Sequence, residues 1–334
     1  MENALLSRDT YSRLQHSSSM HTNYVVVNWC MGNTCNYACT YCPESLHNAT
    51  QPWPSFEAVK PFLDKVIEHY KGKKIYFELT GGEVSLWKDL PVAADYLKSK
   101  DCKIGIISNG SRSLEFFGKL VEKIDHICLS FHPESAKEEH FYSVVEFFAQ
   151  RVRTHVNFMM KPDLFNKCLS FSLKVKNIPN ISIAVQPLME GLNGAIFNYS
   201  ELQQRTMNNQ HDLIVKHIKY NKEYEVYRGA MEMLMNDGEK QTVAPQNFIA
   251  AGQNSWKNWY CYAGLEQIVV DMNGAIFRGW CLAGGSVGNI YDADLKLPTK
   301  PIKCPVDKCH CNLDIMSTKV KNLPTETVML ESAL

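Results

Sequence analysis

A chain of 334 residues with 45% hydrophobic and 21% charged content can bury a large core, which excludes a disordered protein. Its 35 Lys and Arg balance its 35 Asp and Glu, so the excess cation of a protein that lives on a nucleic-acid backbone is missing and no nucleic-acid partner is expected. No apolar run reaches the roughly 18 residues of a membrane span, and residues 1–20 lack a signal-peptide core. The sequence therefore predicts a cytoplasmic protein.

In chain order, residues 1–23 read as an N-terminal extension. From residue 24 to about 185, short β-branched and aromatic runs followed by turn signals predict strands over 24–29, 74–79, 103–108, 126–131, 154–160 and 181–185. Amphipathic stretches lie between them. Leu114, Phe117, Leu120, Val121 and Ile124 fall on one helical face after Ser113. Phe141, Val144, Val145 and Phe148 fall on another, with Ser135 and Glu138 at capping-box spacing. Pro61 obscures the start of a helix carrying Phe62, Val66 and Ile67. Such alternation predicts an α/β fold built on a parallel sheet buried on both faces. Six strands suit an open, partial β/α barrel rather than a closed eightfold one, with its chemistry on loops after the strand C-termini.

Beyond residue 185 the pattern changes. Ser200 and Gln203 start a helical stretch to about residue 220, which closes a core of 24–236. Residues 237–258 read as a linker or lid. In 259–317 a hairpin turns at Met272-Asn273-Gly274, which predicts a small C-terminal domain, and 318–334 form a tail.

The twelve cysteines fall into two groups and four isolated residues, Cys30, Cys102, Cys128 and Cys168, expected as buried packing. In a reducing compartment dense cysteine spacing points to metal or redox chemistry. Cys35, Cys39 and Cys42 form C-x₃-C-x₂-C after the first strand. A structural zinc site wants a fourth ligand, and His47 stands at no usual spacing for one. Three thiolates without a fourth suit a [4Fe–4S] cluster with one open iron. The second group is Cys261 and Cys281 around the hairpin, then Cys304, Cys309 and Cys311. Four of these five could fill one auxiliary four-iron cluster, with the fourth ligand either Cys309 or Cys311, and the same four thiolates would also make a closed zinc site.

The first motif, with Tyr41 just before its last cysteine, resembles the radical S-adenosylmethionine (SAM) enzymes, and the resemblance runs from about residue 25 to 314. It implies that Cys35, Cys39 and Cys42 hold a [4Fe–4S] cluster whose fourth iron is chelated by SAM. One electron then cleaves SAM, and the resulting 5′-deoxyadenosyl radical takes a hydrogen atom from the substrate. Gly81-Gly82-Glu83 after the second strand resembles the family's GGE motif at the SAM amino group. Two glycines admit close backbone approach, and a carboxylate can pair with an ammonium. By the same resemblance Ser108 and Asn109 line the SAM pocket and Ser130 meets the ribose; Lys161, after the fifth strand, could reach the SAM carboxylate or a substrate group, or equally be a solvated loop lysine. His132 reads more simply as a surface-loop residue, and Trp259, Tyr260 and Trp280 as a packed shell around the second cysteines.

That second group is similar to the Twitch form of the SPASM auxiliary-cluster extensions. The implied reaction is net oxidation or epimerisation of a small natural-product precursor or a ribosomal peptide, with electrons from a flavodoxin- or ferredoxin-type donor. Only 34 residues precede Cys35, too few for a folded leader-binding module. Two other readings stand beside it: SAM-dependent modification of RNA, which the charge balance disfavours, and a non-enzymatic iron–sulfur or zinc protein, which has no use for Gly81-Gly82-Glu83.

Overall fold

The computed structural model describes residues 8–17, 23–190, 195–209 and 231–323. Seven strands run parallel: β2 (Tyr24–Cys30), β3 (Lys74–Thr80), β4 (Lys103–Ser108), β5 (His126–Phe131), β6 (Arg153–Met159), β7 (Ile181–Gln186) and β11 (Gln267–Val270). Strands β2 to β7 sit side by side in sequence order, and β12 (Ala275–Phe277) and β13 (Gly288–Asn289) extend the sheet antiparallel beyond β11. This is the α/β parallel architecture read from the sequence, with the six predicted strands in place. The C-terminal hairpin joins it directly: Gln267 to Val270 pair in register with Val26 to Trp29.

Helices α1 (Phe56–His69), α2 (Leu90–Ser99), α3 (Leu114–Leu120), α4 (Glu138–Ala149) and α5 (Phe165–Val175) follow β2 to β6 in turn. Alternate strand residues, such as Val25, Val27 and Trp29 of β2 or Ile127, Leu129 and Phe131 of β5, pack on their apolar faces. Each fully buried side chain of this size contributes about 2 kcal/mol. Ser113 caps α3 by accepting from Phe116 N. Ser135 does not cap α4, which starts after Lys137; its N–H bonds the His132 carbonyl and its hydroxyl lies 4.0 Å from Cys39 Sγ. Helix α6 (Glu201–Asn209) opens with a reciprocal box, Gln203 N to Ser200 Oγ and Ser200 N to Gln203 Oε1. Its predicted continuation to residue 220 lies outside the described residues.

The sheet is not apolar on both faces. The residues that alternate with the outer core include Asn28, Cys30, Glu78, Thr80, Cys128, Ser130, Asn157 and Gln186. They bond to one another: Asn28 donates to Glu78, Asn157 Nδ2 reaches Cys128 Sγ at 3.2 Å, and Gln186 Nε2 reaches Asn157 Oδ1 at 3.1 Å. Cys102 and Cys168 belong to the outer core as expected, whereas Cys30 and Cys128 belong to this inner, polar face.

A second, antiparallel sheet gathers segments with weak sequence signals. Its order is β14 (Ile302–Lys303), β10 (Tyr260–Cys261), β15 (Lys319–Val320), β1 (Tyr11–His16), β8 (Met231–Met235) and β9 (Lys240–Val243). Parts of the N-terminal extension, of the 237–258 stretch and of the tail are thus paired strands, and α7 (Pro245–Ala250) also falls within 237–258. Among the described residues no helix is long and apolar enough to cross a membrane.

Candidate functional site

The loop after β2 and the turn after β3 lock together through backbone. Gly82 N donates to Gly32 O at 2.8 Å and Glu83 N to Thr34 O at 2.8 Å. A Cβ on Gly82 would stand 2.2 Å from Thr34 O, and one on Gly81 would stand 2.6 Å from Gly32 O at a φ of +143°. Only glycine permits either approach. Cys35 follows Thr34 directly in the chain, with Cys39 and Cys42 just beyond.

Three thiols, Gly81, Gly82, Ser108, Asn109, Ser130 and His132 line one cavity of about 190 Å³ at the C-terminal ends of the parallel strands. Glu83 also borders it but is itself buried. Its carboxylate accepts from Ser108 Oγ at 2.6 Å, Asn109 N at 2.6 Å and Ser85 N at 3.0 Å. Burial raises its pKa, and the three donors oppose that rise without cancelling it. In the structure, then, Glu83 sets the turn after β4. That turn in its own right touches the cysteine loop, with Asn109 Nδ2 3.0 Å from Asn36 Oδ1.

His132 is part of the cavity rather than a surface-loop residue. Its Nδ1 lies 2.6 Å from Tyr41 OH and 3.5 Å from Cys39 Sγ, and its ring is parallel to that of Tyr41. Burial pulls its pKa down to about 4, so the imidazole is neutral at pH 7. Lys161 instead pairs with Glu134 at 2.7 Å and Asp163 at 2.9 Å. Glu134 in turn accepts from Thr40 N at 2.7 Å and Thr40 Oγ1 at 2.6 Å, so the pair anchors the middle of the cysteine motif. Asn33 anchors its flanks: the side chain donates to Ser45 O and Asn48 Oδ1 and accepts from Gln51 N. Neither Glu134 nor Asn33 announced itself in the sequence, because each acts across a turn that only the fold closes.

Burial raises the Cys35 and Cys39 thiols and takes Cys42 to about 11. Among the described residues no group of three or more His, Cys, Asp or Glu side chains surrounds a single-ion position. Thiols spread around one cavity suit a multi-iron cluster, whose irons sit at separate corners.

The second cysteine group lies where the two sheets meet. Cys261 and Cys304 pack together with Ala263. Cys309 is buried against Trp256, Trp259, Ile315 and Met316, and Asn254 clasps its backbone through Cys309 N to Asn254 O at 2.8 Å and Asn254 Nδ2 to Cys309 O at 2.6 Å. Cys281 feels the charge of Cys261 and Cys304, and Cys309 that of Cys261 and Cys281; burial is the leading cause that raises both thiols. Cys311 is placed differently. Its sulfur accepts from Asp314 N at 3.5 Å as the N-cap of α8 (Asn312–Met316), and it packs toward Val26, Tyr76, Val269 and Leu313.

Asp314, buried in α8, accepts from Cys281 N at 2.7 Å, Gln267 Nε2 at 2.9 Å and Trp280 N at 3.0 Å. Trp259 and Trp256 are buried, but Trp280 is 38% exposed. Its indole N–H reaches Asn28 Oδ1 at 2.9 Å, so Trp280 spans from the second cysteine group to the polar inner face instead of belonging to a sealed shell.

Residues 29–157, which carry the C-x₃-C-x₂-C loop, the glycine junction and Ser130, match the radical SAM superfamily. They form a radical SAM domain. A S-adenosylmethionine-dependent nucleotide dehydratase of Fibrobacter sp. (strain UWH6) is 27% identical over 120 residues, which is 33% of this chain and 34% of that protein. The chain thus aligns with about a third of the curated relative's length. Among solved structures, native anSMEcpe with bound AdoMet matches with a TM-score of 0.52 at 15% identity, over 80% of this chain and 78% of that one. Its complex with AdoMet and the Kp18Cys peptide matches with a TM-score of 0.52 at 17% identity over the same shares. At such identities the likeness concerns the fold, and it extends well beyond the radical SAM domain itself.

Proposed function

We propose that this protein is a radical SAM enzyme that takes a hydrogen atom from its substrate and carries out a net oxidation or epimerisation. The observation behind this reading is the single cavity that joins the three thiols to the Gly81-Gly82 backbone and to Ser108, Asn109 and Ser130. A [4Fe–4S] cluster and SAM bound there would supply the one-electron cleavage that yields the 5′-deoxyadenosyl radical. Cys35, Cys39 and Cys42 would hold the cluster. The glycine junction would leave room for SAM beside its backbone, Tyr41 and His132 would wall the cluster from solvent, and Ser130 and the 108–110 turn would border the nucleoside.

The core then falls within 24–236 and an auxiliary [4Fe–4S] site within 259–317, held by Cys261, Cys281, Cys304 and Cys309. The polar inner face below the cavity suits a substrate rich in hydrogen-bonding groups, a small natural-product precursor or a peptide segment. A flavodoxin- or ferredoxin-type protein in the cytoplasm would deliver the electron.

Anaerobic reconstitution with iron and sulfide, followed by SAM and a strong reductant, should give 5′-deoxyadenosine by chromatography. Cys39→Ala should abolish it. Protein with an intact first cluster that neither perturbs its spectrum on adding SAM nor forms 5′-deoxyadenosine would defeat the proposal.

The ligand choice at the second site has its own test. Cys309→Ser should lose the iron of that site, whereas Cys311→Ser, where a hydroxyl can still cap α8, should keep it. Iron counts on the two purified variants decide, and the reverse pattern would reassign the ligand.

A further inference from the structure

Among the described residues, Lys319 is the one lysine or arginine with no exposed surface. Its three ammonium protons are taken by backbone carbonyls at the end of α8: Asp314 O at 2.6 Å, Ser317 O at 2.9 Å and Ile315 O at 2.9 Å. The Trp256 ring centroid lies 4.8 Å away. These partners satisfy the hydrogen bonds but carry no net charge. A buried cation is strongly disfavoured unless a counter-charge lies near it. Among the described residues no carboxylate forms an ion pair with Lys319: Asp314 and Glu266 act on it through charge alone, with the Asp314 carboxylate bonded to Cys281, Trp280 and Gln267 and Glu266 Oε2 to Thr318 N at 2.7 Å.

Strand pairing shows where the counter-charge can lie. Cys261 and Lys319 are direct partners across β10 and β15, so their side chains share a face with Cβ atoms about 5 Å apart. From its other edge β10 pairs Cys261 with Ile302, and Cys304 follows two residues later and packs on Cys261. Cys309 shares a core cluster with the Trp256 that Lys319 stacks on, and the charge of Lys319 acts on it. As neutral thiols these cysteines would leave the ammonium only the charges of the Asp314 and Glu266 carboxylates, neither of which touches it. Four thiolates on a zinc ion or on an oxidised [4Fe–4S] core carry a net charge of about −2, which the ammonium would half offset.

Resting on the auxiliary site proposed above, we infer that Lys319 is the fixed counter-charge of a metal–thiolate centre at Cys261, Cys281, Cys304 and Cys309. A nearby cation favours the more reduced, more negative state of such a centre. Lys319 therefore holds its reduction potential up and slows loss of the metal.

The test uses the full chain with Cys35, Cys39 and Cys42 all replaced by Ala, so that only the second centre can load. Lys319→Gln keeps an amide donor for the carbonyls and removes the charge, while Lys319→Arg keeps the charge. After anaerobic reconstitution, iron, sulfide and zinc are counted, and the midpoint potential is titrated by electron paramagnetic resonance. The Gln variant should shift to a more negative midpoint and lose metal faster to a chelator, with the Arg variant close to the parent. A Gln variant with full iron, the parent's midpoint and the parent's chelator half-time overturns the inference. If the parent itself loads no metal, the auxiliary site fails and the inference falls with it. If it loads zinc, the iron–sulfur assignment fails alone, and chelator half-times decide on Lys319: faster release from the Gln variant sustains the counter-charge, and equal release overturns it. Failure of both variants to fold would make Lys319 only a helix cap and also overturn it.

Discussion

Gly82→Ala should load less iron at the first site and lower 5′-deoxyadenosine formation at least tenfold. The added methyl would meet Thr34 O at 2.2 Å, Thr34 C at 2.5 Å and Asn33 C at 2.9 Å, all of them backbone atoms that cannot rotate aside. Relief requires the loop before Cys35 to move away from the end of β3, which breaks the bonds from Gly82 N to Gly32 O and from Glu83 N to Thr34 O. Overpacking of this kind costs about 1–3 kcal/mol, and a contact with rigid backbone belongs at the upper end. About 1.4 kcal/mol of lost transition-state stabilisation is already tenfold in rate. Gly118→Ala is the matched control: Gly118 lies inside α3 with nothing within 4 Å of its Cβ position, so it should be neutral or slightly stabilising. Gly82→Ala with the parent's iron content and rate would mean that the two loops are not coupled as the structure has them.

That junction was half legible in the sequence. Two adjacent glycines after a predicted strand signal a close approach, but not to what, since Thr34 lies almost fifty residues earlier in the chain. The parallel strands were legible because their outward residues alternate with helices of matching apolar periodicity. The inner face was misread as apolar, since β2 and β3 each place a single buried polar residue, Asn28 and Glu78, inside an otherwise hydrophobic run. Strand β1 was missed for a geometric reason. A register shift between Tyr11 and Arg13 puts the two buried residues Tyr11 and Leu14 three apart, which spoils the period of two. Strands β10, β14 and β15 have two residues each, too short for any periodicity, and owe their existence to pairing across the fold.

The second cysteine group shows the same limit at the level of a site. Spacing alone treats Cys309 and Cys311 alike, because both could reach a metal from one loop. What separates them is the helix: Cys311 falls at its N-cap, and Cys309 falls two residues outside it, against the tryptophans. Lys319 gave no signal, being one lysine in a polar tail until β15 places it opposite Cys261.

Asp314→Ala should be the most damaging single change at the second site, lowering stability by about 3 kcal/mol and Tm by about 4 °C. The carboxylate is the acceptor for two backbone N–H groups, of Trp280 and Cys281, and for the Gln267 amide. Its removal leaves the buried Gln267 amide and the two part-buried N–H groups without this partner, at about 1–3 kcal/mol for a fully buried donor and less for the others. Relaxation has little room, because the chain at Gly279 already passes so close that a Cβ there would stand 2.6 Å from Asp314 Oδ1. The damage should be local in metal content, with iron lost from the second site and kept at the first. It should be wider in function, since freeing Trp280 also releases its bond to Asn28 and through it the hold on Glu78 at the inner face. Asp314→Asn, which keeps one acceptor oxygen but turns an NH₂ toward a donor, should fall between the two. Thermal unfolding and iron counts on the reconstituted variants measure both effects. If Asp314→Ala keeps its second-site iron and unfolds within about 2 °C of the parent, the carboxylate does not hold this junction together.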